Sequence, residues 1–392
     1  MLPLEGITVV ALEQAVAAPF ATRQLADLGA RVIKIERTGS GDFARGYDST
    51  VNGLASYFVW LNRGKESLTL DVKQPGGHEI LEKLLSQADV FIHNLAPGAV
   101  DRLGFGAAEL RAAHPRLIVC TMSGYGSSGP YRDKKAYDLL IQCETGLVSV
   151  TGTAETPSKV GISVADISGG MYAYSGILTA LYQRERTGEG ATLDVALFDT
   201  LGEWMSHPMY LTAYGGKAPS RNGATHASIA PYGPFSTGDG RSVNLGVQNE
   251  REWVRFCEIV LERPEVAGDP RFTTNAGRVA EREALTALIV EAFSALSADD
   301  VIERLDCAQI ANAAMNSVQE FIDHPQLAAR NRWRDVDSPA GPLRALLPPV
   351  TNDNFDYPMR PIPALGEHTE AILSELGYTA ADIERLKDEG VV

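Results

Sequence analysis

Only four cysteines occur in the 392 residues, Cys120, Cys143, Cys257 and Cys307, and no two of them form a C-x-x-C pair. Neither a disulfide framework nor a thiolate zinc site is expected, and the chain reads as cytoplasmic, from a reducing compartment. Cys120 and Cys143 lie in apolar surroundings and are expected to pack as small hydrophobes. No apolar run reaches about 18 residues, so no membrane span is expected. Basic residues are also short in supply: 35 against 50 acidic ones leave a formal charge of −15, which repels a phosphate backbone and argues against nucleic acid as a partner. The seven histidines show neither H-x-x-x-H nor H-E-x-x-H spacing, so no metal site is expected. Met1 to Gly6 lack the basic and apolar regions of a secretory signal.

Several catalytic signatures are missing. G-x-G-x-x-G does not follow the first strand-like run, where the chain reads Glu13-Gln14-Ala15-Val16-Ala17-Ala18-Pro19. G-x-x-x-x-G-K-[ST] and G-x-S-x-G are missing altogether. Dinucleotide oxidoreductases, P-loop ATPases and serine esterases of the nucleophile-elbow type are therefore unsupported.

What is present is an alternation of strand and helix signals. Apolar runs of strand length lie at 7–12, 31–36, 89–93, 117–122 and 191–197, and helical patterns at 19–28, 77–87, 107–113 and 167–187 separate them. This order predicts an α/β fold with a mainly parallel, doubly wound sheet. Past residue 215 the texture turns to Gly, Pro, Ser and Asn, which places a domain boundary there. A strand at 242–247 and helices at 252–261, 281–296 and 298–305 then predict a smaller α+β domain, and the chain is expected to end in a helix at 369–376.

In such a sheet, ligands sit at the carboxyl ends of the strands. Cations and polar neighbours collect at those places: Arg37 with Gly39-Ser40-Gly41-Asp42, Arg63 and Lys65, Asn94 before Pro97-Gly98, and Arg102. Together they suit phosphates, although each alone is also an ordinary solvated charge. Asp166 opens the long helix and is expected at its N-cap, held ionised by helix-end amides, or else to serve as nothing more than a cap. Gly169 and Gly170 follow, and two glycines there let another group approach the backbone.

These segments, with Asp101-Arg102-Leu103-Gly104-Phe105, Ser123-Gly124-Tyr125-Gly126, Arg186-Thr187-Gly188-Glu189-Gly190 and Leu365-Gly366-Glu367-His368-Thr369, resemble the family III (CaiB/BaiF) CoA-transferases over nearly the whole chain. The resemblance implies a large α/β domain from residues 1–215 and 331–392, a small domain at 216–330, and an interlocked homodimer. It implies coenzyme A as co-substrate, no permanently bound cofactor and no metal. By the family pattern Asp166 is the nucleophile, forming an aspartyl anhydride and then an aspartyl-CoA thioester. Arg37, Lys73, Asn94, Arg102 and Lys135 are candidates to hold CoA, and Val16 stands where some members have glutamine.

Oxyanion stabilisation is expected from backbone N–H groups at Gly169, Gly170 or the loop at Gly223. Two other readings remain open. The related α-methylacyl-CoA racemases carry a His-Asp dipeptide where this chain has Tyr137-Asp138, and a non-catalytic acyl-CoA-binding protein belongs to another class altogether. For the acid, the stretch from Ser220 to Trp253 looks more like the family's mesaconate or itaconate enzymes than its oxalate type. Arg221, His226 and Tyr137 are candidates to meet a second carboxylate, unless Arg221 is a solvated linker charge and His226 caps a turn.

Overall fold

Strand β1 (Thr8–Leu12) lies at the centre of the computed structural model, which describes residues 1–392. It is flanked in parallel by β2 (Arg31–Glu36) on one side, across the crossover helix α1 (Ala17–Asp27). Helix α2 (Ser56–Leu61) leads to β3 (Lys65–Thr69), which pairs with β2. The chain then returns through α3 (Pro75–Gln87) to β4 (Val90–His93), on the other side of β1. The short helices α4 (Ala99–Arg102) and α5 (Ala107–Ala113) precede β5 (Ile118–Ser123). Helices α6 (Asp138–Glu144), α7 (Leu147–Val150) and the long α8 (Val164–Thr187) connect β5 to β6 (Thr192–Ala196). The six strands run in the order β3-β2-β1-β4-β5-β6, all parallel.

Period-two alternation gives this sheet two buried faces. Val9, Ala11, Val32, Val90, Ile92, Ile118 and Cys120 face α1 and α8. Val10, Leu12, Ile33, Ile35, Phe91 and Val119 face α3 and α5. Gly169 and Gly170 have a packing reason: a Cβ on Gly169 would come 2.3 Å from Leu197 Cδ2, and one on Gly170 2.7 Å from the Ala17 carbonyl of α1. The expectation that another group approaches the backbone there holds, and the approaching groups are Leu197 and α1. The cysteine expectation is half corrected. Cys120 is buried and its thiol is pushed up to about 12 by burial, whereas Cys143 is exposed on α6.

The chain divides into two compact units, Met1–Leu147 with Val160–His207 and Ala329–Val392, and Val148–Lys159 with Pro208–Ala328. In the first, α9 (Leu197–Trp204) follows β6, and α10 (Ser206–Gly215) begins where that stretch ends. In the second, β7 (Tyr232–Ser236), β8 (Ser242–Gly246) and β9 (Ala311–Ala314) form an antiparallel sheet. Helices α11 (Glu250–Arg255), α12 (Asn275–Ala280), α13 (Arg282–Phe293) and α14 (Ala298–Cys307) accompany it, over a core that includes Trp253, Phe256 and Phe293.

After α15 (Val318–Ile322) and α16 (Pro325–Ala329), the chain makes a small hairpin, β10 (Trp333–Val336) with β11 (Leu343–Leu346). It then runs along the free edge of β3: the Gly64 N–H donates to the Pro361 carbonyl, the His368 N–H to that of Ser67, and the Thr69 N–H to Thr369 Oγ1. Helices α17 (Thr369–Glu375) and α18 (Ala380–Asp388) complete the second face of the parallel sheet. No helix is long and apolar enough to cross a membrane.

Candidate active site

In a sheet of this strand order the ligand crevice falls between β1 and β4, where the chain direction of the connections reverses. Here that crevice is stitched. Asn94, just past β4, accepts the Gln14 N–H at 2.9 Å on Oδ1 and donates Nδ2 to the Gln14 carbonyl at 2.8 Å. Ala15 takes a left-handed φ of 60°, and its N–H donates to Asp42 Oδ1 at 3.1 Å. A non-glycine residue in that region costs about 1–3 kcal/mol and persists only where neighbours over-determine it.

The neighbours are a buried charge network on the side of β2 and β3 that faces α1. Lys34 Nζ lies 2.8 Å from Asp42 and 3.4 Å from Glu13, and Lys65 Nζ lies 2.6 Å from Glu13. Arg45 pairs with Glu36 at 2.8 Å, and Ser67 Oγ donates to the same carboxylate. Three acids thus face three bases, and Lys34, Lys65, Glu13, Asp42 and Glu36 are all buried. Burial and the neighbouring Lys34 bring the Lys65 amine down to about 7, against the pull of Glu13. Arg45 and Lys34 hold the Glu36 carboxyl down at about 2. Arg63 forms a two-pronged pair with Asp27. Arg63 and Lys65 are therefore corrected from phosphate candidates to internal ion-pair partners.

Asp166 lies at the same end of the sheet, because α8 crosses from β5 to the parallel β6 and so starts at the carboxyl edge of the strands. It is the third residue of the helix, not the N-cap; Ser163 holds that place without a side-chain cap bond. Its carboxyl is not held ionised as expected. Burial, reinforced by the charge of Asp138, pushes it up to about 7. Asp138 is the residue that takes the helix-end amides, accepting the N–H of Ala165 at 2.8 Å and of Asp166 at 3.4 Å. Facing them is Tyr47, whose partly desolvated phenol is raised to about 12 by its surroundings and by Asp42 and Asp166. Tyr137 lies within the same electrostatic neighbourhood and is 71% exposed, free to meet a ligand.

The oxyanion candidates do not survive. Gly169 and Gly170 lie past the first turn of α8, so their N–H groups are spent on the carbonyls four residues earlier. The Gly223 N–H donates to the Gly152 carbonyl at 2.8 Å.

Among the expected CoA contacts, Arg37, Lys73, Arg102 and Lys135 are exposed cations. Only Arg37 makes a side-chain bond, to Gln14 Oε1 at 3.3 Å, which joins it to the Asn94–Gln14 stitch. Asn94 has both ends of its amide occupied by that stitch.

Arg221 and His226 belong to the second unit, and both are occupied there. The Arg221 guanidinium donates to the carbonyls of Thr153 at 2.9 Å, Ala154 at 2.8 Å and Ser149 at 3.4 Å, so it fastens 149–154 to its own loop. It is corrected from a solvated or carboxylate-binding charge to a clasp on backbone. His226 stacks on Tyr232 at 5.1 Å, and its Nδ1 accepts the Ser228 N–H. Sequence reasoning missed Tyr47 and the network of Glu13, Lys34 and Glu36. No cluster of His, Cys, Asp and Glu is arranged to hold a metal.

A Rossmann-ordered sheet without a phosphate-binding glycine turn, with a carboxyl at the start of a crossover helix and exposed cations at the strand ends, suits an acyl-transferring enzyme. Comparison with known proteins gives the family: the profile of CoA-transferase family III matches residues 4–369. The chain belongs to that family, and the protein is a CoA-transferase. It is 38% identical to the acetyl-CoA:oxalate CoA-transferase of Acetobacter aceti over 331 residues, 84% of this chain and 85% of that protein. Identity to the succinyl-CoA:glutarate CoA-transferase of Mus musculus is 34% over 401 residues, 100% of this chain and 91% of that one. A crystal structure of a CAIB/BAIF family protein from Brucella suis superposes with a TM-score of 0.85 at 36% identity, covering 96% of this chain and 99% of the other.

Proposed function

We propose that this CoA-transferase moves CoA from an acyl-CoA to a free short dicarboxylic acid, with Asp166 as the covalent nucleophile. The observation that carries the proposal is a carboxyl at the carboxyl edge of the sheet, raised to about 7, that receives no helix-end hydrogen bond. Such a group ionises with little to stabilise its charge, as a nucleophile should.

Asp166 attacks the thioester carbonyl carbon, the C–S bond breaks, and CoA leaves as the thiolate with the electron pair. The thiolate then attacks the aspartyl carbonyl of the mixed anhydride, releases the donor acid and leaves an aspartyl-CoA thioester. The acceptor carboxylate repeats both steps in reverse. Neither covalent intermediate survives contact with bulk water, so the site has to close around its substrates. Coenzyme A is the co-substrate, and Arg37, Lys73, Arg102 and Lys135 supply cations for its phosphates. Asn94 supports them by fixing Gln14, which Arg37 touches.

The relatives described above are named for oxalate and glutarate, both dicarboxylic acids, and the acceptor is proposed at that class. The Ser220–Trp253 stretch leans toward mesaconate- or itaconate-like acids, while the oxalate relative is the more identical of the two described. Tyr137, exposed and next in the chain to Asp138, is the residue proposed to meet it. A homodimer is supported by α10, which buries none of its residues and exposes Met209, Tyr210, Leu211 and Tyr214.

The test is an acceptor screen with succinyl-CoA as donor, run on the wild type and Asp166→Asn. Dicarboxylates should outcompete formate, carnitine and aromatic acids, and Asp166→Asn should bind CoA yet lose transfer roughly a thousandfold or more. Near-normal turnover by Asp166→Asn refutes the nucleophile, and a preference for a monocarboxylic acid refutes the substrate class.

A further inference from the structure

The helix that carries Asp166 is capped from a different element. Asp138 Oδ1 accepts the amides of Ala165 and Asp166, while its Oδ2 accepts Gln142 Nε2 at 2.7 Å. Gln142 is fully buried, and its Oε1 accepts the Val160 N–H at 3.0 Å. A continuous chain of bonds therefore locks the Asp138 carboxylate against the start of α8, with both oxygens spoken for and pointing its charge at the neighbouring Asp166.

We infer that Asp138 is a positioning residue for the transfer reaction: it takes up the amides at the start of α8, and it holds beside Asp166 a like charge whose repulsion is relieved when acylation neutralises Asp166. The inference rests on Asp166 being the nucleophile. When Asp166 attacks, its C–O bond forms, the C–S bond of the thioester breaks, and the negative charge leaves with the CoA thiolate. The anhydride is neutral at Asp166, so the repulsion present in the resting enzyme vanishes on going forward. A carboxylate without amide donors is also the stronger nucleophile.

The other charges around α8 leave this pair isolated. On α6, Glu144 is paired with Lys134. On α1, Arg23 and Asp27 pair with each other and act on Tyr174, two turns along the helix. On α9, Asp199 and Glu203 are exposed, and on β6, Asp194 accepts from Ser127. Asp138 is the charged group that acts on Asp166, and Asp166 in turn acts on the Tyr47 phenol, which also feels Asp42 and Tyr137.

Asp138→Asn keeps an acceptor for the Ala165 amide and removes the charge, whereas Asp138→Ala removes both. The acidic limb of the kcat/KM pH profile should move to lower pH by on the order of one unit in Asp138→Asn, because a lone Asp166 ionises more readily. Asp138→Ala should lose kcat roughly tenfold or more with KM for the acyl-CoA little changed, and Asn should recover the part of that loss owed to the amides. An acidic limb that stays in place, or a kcat in Asn as low as in Ala, overturns the inference. Should Asp138→Asn turn over too slowly to profile, infrared titration of the Asp166 carboxyl, taken as wild type minus Asp166→Asn and repeated in the Asp138→Asn background, decides it: a midpoint unchanged from the wild type overturns the role. Asp166→Asn separates the two claims. If it stays active, the nucleophile reading itself falls; if it is inactive while Asp138→Asn leaves the limb in place, the nucleophile stands and the positioning role falls.

Discussion

Replacing Glu13 by Gln tests whether the polar network holds the sheet together. Glu13 is 2% exposed, and it accepts from Lys65 at 2.6 Å, Thr22 at 2.6 Å and Lys34 at 3.4 Å. Glutamine keeps the shape and the Thr22 bond but leaves three bases facing two acids, Asp42 and Glu36, in a site closed to water. Breaking a buried pair by removing one partner costs about 3–5 kcal/mol, most of it the uncompensated charge. At about 1.4 kcal/mol per tenfold, the folded-to-unfolded ratio of the first unit falls roughly a hundredfold to a few thousandfold. Lys65, already brought down to about 7, has the readiest escape: it loses its proton, so the variant should recover stability as pH rises.

The assay is urea unfolding read by hydrogen exchange at the amides of β1 and β2, which reports on this unit rather than on the whole chain. Two controls bracket the number. Arg31→Met breaks two partly exposed pairs, with Glu66 and Glu375, and should cost no more than about 1 kcal/mol for each. Glu13→Leu combined with Lys65→Met removes both ions and should regain most of the loss. A Glu13→Gln cost below about 1 kcal/mol, or a double variant no better than the single one, refutes the reasoning.

Gly170→Ala drives a methyl group to 2.7 Å from the Ala17 carbonyl and should lower stability by about 1–3 kcal/mol, while Gly176→Ala, whose nearest neighbour is Leu193 at 3.5 Å, should be neutral or slightly stabilising; thermal melts of the pair check this. Asp166 is a carboxyl whose folded pKa lies above its unfolded one, so its contribution to stability is complete below about 3.8 and is lost as pH rises through about 7. Asp166→Asn, which cannot ionise, should therefore melt higher than the wild type at pH 8, and the gap should close toward pH 4; a gap that is constant with pH contradicts the raised carboxyl.

The five strands with apolar runs are legible in the sequence because burial on both faces demands such runs. Strand β3 is not. Its sequence Lys65-Glu66-Ser67-Leu68-Thr69 turns Lys65 and Ser67 toward an ionic interior, and a polar interior leaves no hydrophobic period to read. The last helix, α18, did carry a local signal, the capping box from Thr379 to Asp382, although the chain was expected to end in the helix at 369–376. At the site, the carboxyl of Asp166 was found from its place at a helix start, but which groups Gly169 and Gly170 admit was not, since their partners Leu197 and Ala17 lie 28 and 153 positions away. Asp138 was visible only as the second member of a dipeptide. Its bonds reach 27 and 28 residues along the chain, a distance over which a single sequence gives no pairing signal. The clasp of Arg221 on 149–154 was hidden for the same reason.

The covering of the β3 edge has a consequence for biosynthesis. Ser67 waits for His368, 301 residues later, to occupy its outward amide. At ribosomal rates of about 5–20 residues per second, that is roughly 15–60 s during which the nascent chain carries a strand with one side open to any passing backbone. The charge of Glu66, on the other side of the strand from the buried Lys65, is ill suited to pairing with an apolar strand and serves as a guard for that interval. A ribosome stalled before the final segment would therefore release a sheet whose edge has lost its lasting cover and retains only that charge.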